Sequence, residues 1–375
     1  MTKLCSLEGP ADRSNVFGED SHLKSRSNKT LQPTFAAGTQ PVGPQNAHRP
    51  QVQLNAIVKP TKRDMVKSSY KKGVPLPAFP EEVYDYVRAA FASANERVSE
   101  NFIFAPNSHE ESFDHSFVET IGRYRAPRVV LPGWAVRMDV HFLGGMRHFH
   151  GWEIADIGVL IFFTENGKIT SQKVALLQSK RLYPKSHEVI ETNAEHYRIG
   201  FGNLLPSGSV VPSLMRPHKY EVDSNSRYGA MSVGSNQYNA IEDYIDKSSV
   251  PVHYLMYNPW TVPSTFTTPT SDDTILGDIG NGGARVVSAS LLHESLKSQP
   301  NGYNPRFTDT GTPMMDGASE SNGYRLENFI ADQLLKCKEG LLFSDLEDGD
   351  IYALFNRRSG SIYSALSITI ERNGD

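Results

Sequence analysis

The chain has 375 residues, 38% of them apolar, a formal net charge of −4 and two cysteines, Cys5 and Cys337. That length suits two domains or one domain with large insertions. The mild acidity excludes a wholly basic nucleic-acid coat while leaving local basic patches open, and two distant cysteines exclude a disulfide scaffold or an all-cysteine zinc cluster.

No run reaches the roughly 18 apolar residues of a membrane span, and the first residues lack the apolar core of a leader. The expectation is a cytoplasmic protein with no membrane partner. Residues 1–75 are polar and rich in Pro, Gly, Ser and Asn, a composition expected to stay disordered. Their last part sets Lys59, Lys62, Arg63, Lys67, Lys71 and Lys72 against a single acid, Asp64. It is either a solvated tail or an electrostatic arm for nucleic acid or a partner.

From Pro80 to about Phe104, Val83, Tyr86, Val87, Ala90 and Phe91 fall at helical spacing. Pro106 interrupts this helix. Ser108 then reads as an N-cap with Glu111 three residues on, a capping box. The helix it opens carries Phe113, Phe117 and Ile121 as an apolar stripe and ends over Gly122 to Pro127. Trp134 to Phe142 alternates as a half-buried strand, and Gly144-Gly145 turns it.

Ile157 to Phe163 is an unbroken apolar run, the pattern of a strand buried on both faces. Glu165-Asn166-Gly167-Lys168 is a tight-turn signal. Val174 to Leu177 is a second apolar run, closed by polar Gln178-Ser179-Lys180. An antiparallel hairpin therefore carries Asp156, at the start of one strand, toward Gln178 and Lys180 at the end of the other. Side chains alternate with period two, so register decides whether the three share a face. A two-residue Asn-Gly turn would put Asp156 and Gln178 on opposite faces. A three-residue turn over Glu165 to Gly167, with Gly167 left-handed in a G1 bulge, pairs Thr164 with Lys168 and puts all three on one face. The functional reading requires that bulged turn.

Residues 181–236 are weakly patterned and read as an insertion with a short element near Ile190 to Tyr197. Tyr238, Ile241 and Ile245 suggest a helix. Val252 to Tyr257 is a buried strand stopped by Asn258-Pro259. Residues 264–283 read as a linker or surface loop. Beyond them come a strand at Arg285 to Val287, a helix from Leu326 to Leu335, and strands at Ile351 to Phe355 and Ile362 to Ile370 around the turn Arg357 to Gly360. The fold class expected is α/β: an arm over 1–75, a core over 76–263 with its insertion at about 181–236, and a linker with an α+β extension over 264–375.

The helix-strand-strand-strand-helix-strand order from Ser108 to Asn258, with Asp156 opening the second strand and Gln178-Ser179-Lys180 closing the third, resembles the PD-(D/E)xK, or restriction-endonuclease-like, nuclease superfamily in a Gln-x-Lys form. The resemblance implies an αβββαβ core with a mixed central sheet. It implies Mg²⁺ or Mn²⁺ held by Asp156, Gln178 and a helix acid, Glu111 first and Glu119 second, with Lys180 orienting or activating the attacking water. Arg181 and Lys185 would line a phosphate path. The activity implied is that of a metal-dependent endonuclease, with DNA as partner. By fold-level analogy the chain would be a bacterial antiviral defence effector, regulated by partner subunits or assembled as a homo-oligomer.

The chemistry agrees with those residue types. Phosphodiester hydrolysis needs a water activated at neutral pH and charge stabilisation on the phosphate, and a hard cation on carboxylate oxygens supplies both. Plainer readings stand beside each residue. Asp156 could pair with Arg137 or Arg147, Lys180 could be a solvated strand end, Glu111 only a cap acid, and Glu119 only a solvated one. His148, His150 and Glu153 lack a third His or Cys for zinc. Gln178 replaces the usual acid and favours a second reading: a catalytically inactive nuclease-like scaffold, or an interaction subunit of a nucleic-acid-binding complex.

Overall fold

A computed structural model of the protein describes residues 73–143, 153–188, 218–268, 279–310, 323–344, 349–355 and 362–374. The basic arm up to residue 72, Gly144-Gly145, His148, His150, the element near Ile190 to Tyr197 and the turn at Arg357 to Gly360 lie outside the described residues.

Helix α1, Glu81–Phe104, buries Val83, Val87, Ala90, Phe91, Ala94, Val98 and Phe102 along one stripe. Helix α2, Glu110–Gly122, buries Phe113, Phe117 and Ile121 as their spacing requires. Its start differs from expectation. His109 occupies the N-cap position and no side chain caps the helix, so the Ser108–Glu111 capping box does not form. The Ser108 carbonyl instead accepts a hydrogen bond from the Arg181 guanidinium, as does the Pro106 carbonyl. That anchor fixes the turn in which the Ser108 N–H donates to the Ala105 carbonyl at 3.0 Å, and the helix begins only after His109.

The strands follow: β1, Arg128–Leu131; β2, Trp134–Phe142; β3, Ala155–Glu165; β4, Lys168–Arg181; β5, Lys185–Glu188; β6, His218–Val222. After helix α3, Asn236–Lys247, come β7, Val252–Tyr257; β8, Ser264–Thr268; and β9, Arg285–Ser288. Helix α4, Ala289–Leu296, precedes β10, Tyr324–Arg325, and a helix that begins as α5, Leu326–Asn328, and widens to a π-helix over Phe329–Leu334. The chain closes with β11, Leu341–Phe343; α6, Gly349–Phe355; and β12, Ile362–Arg372.

The class is mixed α/β. The main sheet runs β1-β2-β12-β3-β4-β7-β9-β10, with β11 beside β4. It is mixed because β12 lies parallel to β3 and β7 parallel to β4, while the other pairs are antiparallel. The segment expected as a C-terminal extension thus supplies strands to this same sheet, and β12 sits between β2 and β3. All described residues belong to one compact unit, Met65–Asp375. Two further expectations change. Part of the supposed loop over 264–283 is β8, which with β5 and β6 forms a small separate sheet where Phe266 stacks on Tyr220. Ile351 to Phe355 is helical rather than a strand, because Ile351 and Leu354 are buried while Tyr352 between them is exposed, a helical spacing.

The hairpin joins β3 and β4 through two residues, not three. Asn166 and Gly167 both take positive φ, 49° and 75°, and Glu165 pairs with Lys168, the geometry of a type I′ turn. The expected G1 bulge is absent, yet the required parity is present. Thr164 pairs with Ile169 and Phe163 with Ser171, so Thr170 is the extra residue of a bulge. Beyond it Ile157 pairs with Leu177, which brings Asp156 opposite Gln178. Helices cover both faces. Tyr257 reaches Asp114 on α2 and Tyr254 reaches His293 on α4, and these two tyrosines point to opposite sides of β7 by alternation. Among the described residues no helix is long and apolar enough to cross a membrane.

Two outcomes are expected. A chain ending at residue 361 removes β12 from the middle of the sheet and exposes the inner edges of β2 and β3; it should lose cooperative unfolding altogether, measured by circular dichroism in urea. Deleting Thr170 should be far more damaging than Gly167→Ala. The glycine substitution meets no neighbouring atom and costs about 1 kcal/mol for its positive φ, whereas the deletion turns every side chain of β4 beyond it to the wrong face.

Candidate active site

One end of the sheet gathers the ends of β2, β4 and β7 and the starts of β3 and β12, as their parallel and antiparallel pairings require. A cavity of about 650 Å³ opens there, lined by Glu110, Asp114, Asp156, Gln178 and Lys180 among others. The hairpin delivers Asp156, Gln178 and Lys180 together, as the sequence implied. Asp156 Oδ2 accepts the Gln178 side-chain amide and, at 2.7 Å, the backbone N–H of Ser179.

Of the helix acids expected, Glu111 lines the cavity at its exposed rim, whereas Glu119 is exposed and pairs with Arg123 at 3.6 Å. Two acids not expected, Glu110 and Asp114, line it as well, four residues apart on the face of α2 beside the phenylalanine stripe. Glu110 holds Lys180 Nζ at 3.3 Å and accepts the Arg181 backbone N–H at 3.1 Å. Asp114, buried, accepts hydrogen bonds from the Ser179 hydroxyl and, at 2.7 Å, from the Tyr257 hydroxyl. Ser179 therefore joins both aspartates, one through its backbone and one through its side chain.

The electrostatics are those of too many buried acids. Burial pushes the Asp114 carboxyl up to about 7, against hydrogen bonds from Ser179 and Tyr257 that pull it down. Burial, and then the charge of Asp114, hold the half-buried Asp156 carboxyl well above the ordinary carboxylate range. Lys180 is nearly inaccessible and, among the described residues, is the one lysine lining the cavity, with no arginine beside it.

Of the two residues expected on a phosphate path, Arg181 is turned inward. Arg181 is fully buried; its guanidinium holds the Pro106 carbonyl at 2.7 Å and lies against the rings of Phe102, Phe113 and Tyr183. It positions the loop before α2, and so Glu110. Lys185 is exposed but paired with Asp223 at 2.7 Å. Of the two alternative partners for Asp156, Arg137 lies instead near Asp139 and Glu371, at 3.8 Å from each, and Arg147 lies outside the described residues.

The residues suit a hard divalent cation. The donors are all oxygens: two carboxylates that repel one another, and Gln178 Oε1, which is buried without a hydrogen-bond partner. Among the described residues no three His, Cys, Asp or Glu side chains form a ready-made cage, so water would complete the coordination, as Mg²⁺ ordinarily prefers. Compared with known proteins, the chain matches no family model, no curated protein and no solved structure.

The raised Asp114 pKa carries a sign. Between its ordinary 3.8 and about 7 the folded protein keeps a proton that the unfolded chain has released. Stability present at low pH is therefore lost as pH rises through that window, and changes no further above it. Urea unfolding across this range should show the decline in wild type and a shallower one in Asp114→Asn. Equal slopes would remove Asp114 as the source.

Proposed function

We propose that this chain is a metal-dependent phosphodiester hydrolase acting on DNA, built on a restriction-endonuclease-like core of the Gln-x-Lys kind. The observation that carries the reading is the convergence of Asp156, Gln178 and Lys180 with a helix carboxylate, Asp114, around one cavity. The parallel β4–β7 pair beside the β3–β4 hairpin supports it; β12 between β2 and β3 departs from the expected αβββαβ order.

Asp156, Asp114 and the Gln178 oxygen would hold the cation, which when bound supplies positive charge to the phosphate and lowers the pKa of a water. The chain's own residues do the rest. Ser179 fixes the orientation of both carboxylates, and Glu110 fixes Lys180 at the cavity wall. Lys180 orients the attacking water and faces the charge developing on the phosphate. The water oxygen bonds to phosphorus and one phosphorus–oxygen ester bond breaks. One water proton ends on the leaving alkoxide, and the other stays with the phosphate monoester or passes to solvent.

Asp156→Asn and Lys180→Ala should each lower Mg²⁺- or Mn²⁺-dependent cleavage at least about 100-fold, with Glu119→Gln near wild type. Millimolar Mn²⁺ should also raise the unfolding midpoint of wild type but not of Asp156→Asn. A wild type that neither cleaves nor is stabilised by the cation supports the inactive-scaffold reading instead.

A further inference from the structure

The charge around the cavity is ill suited to a duplex gripped by its backbone. Glu110, Glu111, Asp114, Glu153 and Asp156 line it against Lys180, which Glu110 already holds. Proteins that track duplex phosphates present rows of exposed lysine and arginine. Among the described residues lining this cavity Lys180 is the only lysine and there is no arginine. Each nucleotide offers a second point of contact besides its phosphate: the face of its base.

The rim of the cavity presents such a surface. His115, one residue beyond Asp114 on α2, and Tyr363, at the start of β12, both line the cavity. Phe142, at the end of β2, is 50% exposed and touches both: the ring centroids lie 5.2 Å from His115 and 6.1 Å from Tyr363. The wall stands on rigid elements. Phe142 pairs with Ser364 in the sheet, and the Leu143 N–H donates to the Tyr363 carbonyl at 3.0 Å. A large exposed phenylalanine beside two further rings keeps apolar surface in water at the mouth of an acidic cavity, an arrangement stabilised when a flat apolar partner covers it. The cavity, at about 650 Å³, lies in the size range of small-molecule sites.

We propose that His115, Phe142 and Tyr363 form a stacking wall for one unpaired nucleobase, whose phosphate enters the acidic cavity, and that the substrate is single-stranded rather than duplex DNA. The placing of the phosphate rests on the hydrolase reading; the stacking of the base does not. Base–aromatic stacking tolerates any sequence, because every base has a π-face, so the wall selects for strandedness and not for sequence.

Binding is read without cleavage in the Asp156→Asn background, using an oligonucleotide with one 2-aminopurine. Its fluorescence should quench when the single strand binds. Adding Phe142→Ala, or separately Tyr363→Leu, should remove the quench and weaken binding at least about tenfold. Phe142 is exposed enough that its substitution leaves the core intact, and the unfolding midpoint verifies this. In wild type with Mn²⁺, a single strand should be cleaved at least about tenfold faster than the duplex of the same sequence. Equal binding of single strand and duplex, or single-strand binding indifferent to Phe142→Ala, overturns the wall. If wild type cleaves neither form, the hydrolase reading falls while the quench still decides the wall. If both forms are cleaved equally with no quench, the wall falls and the hydrolase reading stands.

Discussion

The two-residue period of β4 is the constraint on which the site depends. Its even positions carry Gln178 and Lys180 to the cavity, and its odd positions carry Ser179 and Arg181 toward α2 and the loop before it. Both faces are buried from Ser171 to Arg181, so neither set tolerates the environment of the other. The single extra residue at Thr170 sets this parity. A slip would strand the Arg181 guanidinium and the Ser179 hydroxyl without their carbonyl and carboxylate partners, and each buried polar group left unpaired costs about 1–3 kcal/mol. Polar contacts at the far end of the strand therefore hold the register as firmly as the apolar run in its middle.

The same contacts explain how the protein keeps an excess of negative charge inside. Asp114 and Asp156 are each hydrogen-bonded through Ser179, and Glu110 is neutralised by Lys180. Burial, and for Asp156 then the charge of Asp114, outweighs these hydrogen bonds, which is why both aspartates hold their protons to unusually high pH. A carboxyl poised near neutrality in a cleft is a mark of functional sites more than of packing. A proton releases that tension, and on the proposed hydrolase reading a cation would do so too, with the unpartnered Gln178 oxygen as a further donor.

Much of this was legible locally. The stripe of α2, the alternation of β2, the apolar runs of the hairpin and the approach of Asp156 to Gln178 and Lys180 follow from patterns a few residues long; their shared parity does not, because it comes from the bulge at Thr170 and not from the turn. The insertion of β12 between β2 and β3 was not, because pairing Leu366 with Val140 and Val159 leaves no trace in either neighbourhood. Reading Ser108 as a cap set the wrong helix start and drew attention to Glu111. The better signal was Glu110 and Asp114 four residues apart beside Phe113 and Phe117, two acids sharing a face next to the buried one. Arg181 misled because a basic residue after a strand ordinarily reaches solvent. Here Phe102, Phe113 and Tyr183 enclose it, and two carbonyls accept from its two terminal nitrogens.

Helix α2 ties these parts into one mechanical unit. Arg181 pins the chain just ahead of it, Phe113 and Phe117 lock its buried stripe, and Asp114 fastens it to β4 and β7. Glu110, Asp114 and His115 then move only together. A ligand that touches the ring of His115 and one that touches the carboxylate of Asp114 act on neighbouring residues of a single rigid helix. Interiors packed at crystal-like density transmit such displacements rather than absorb them.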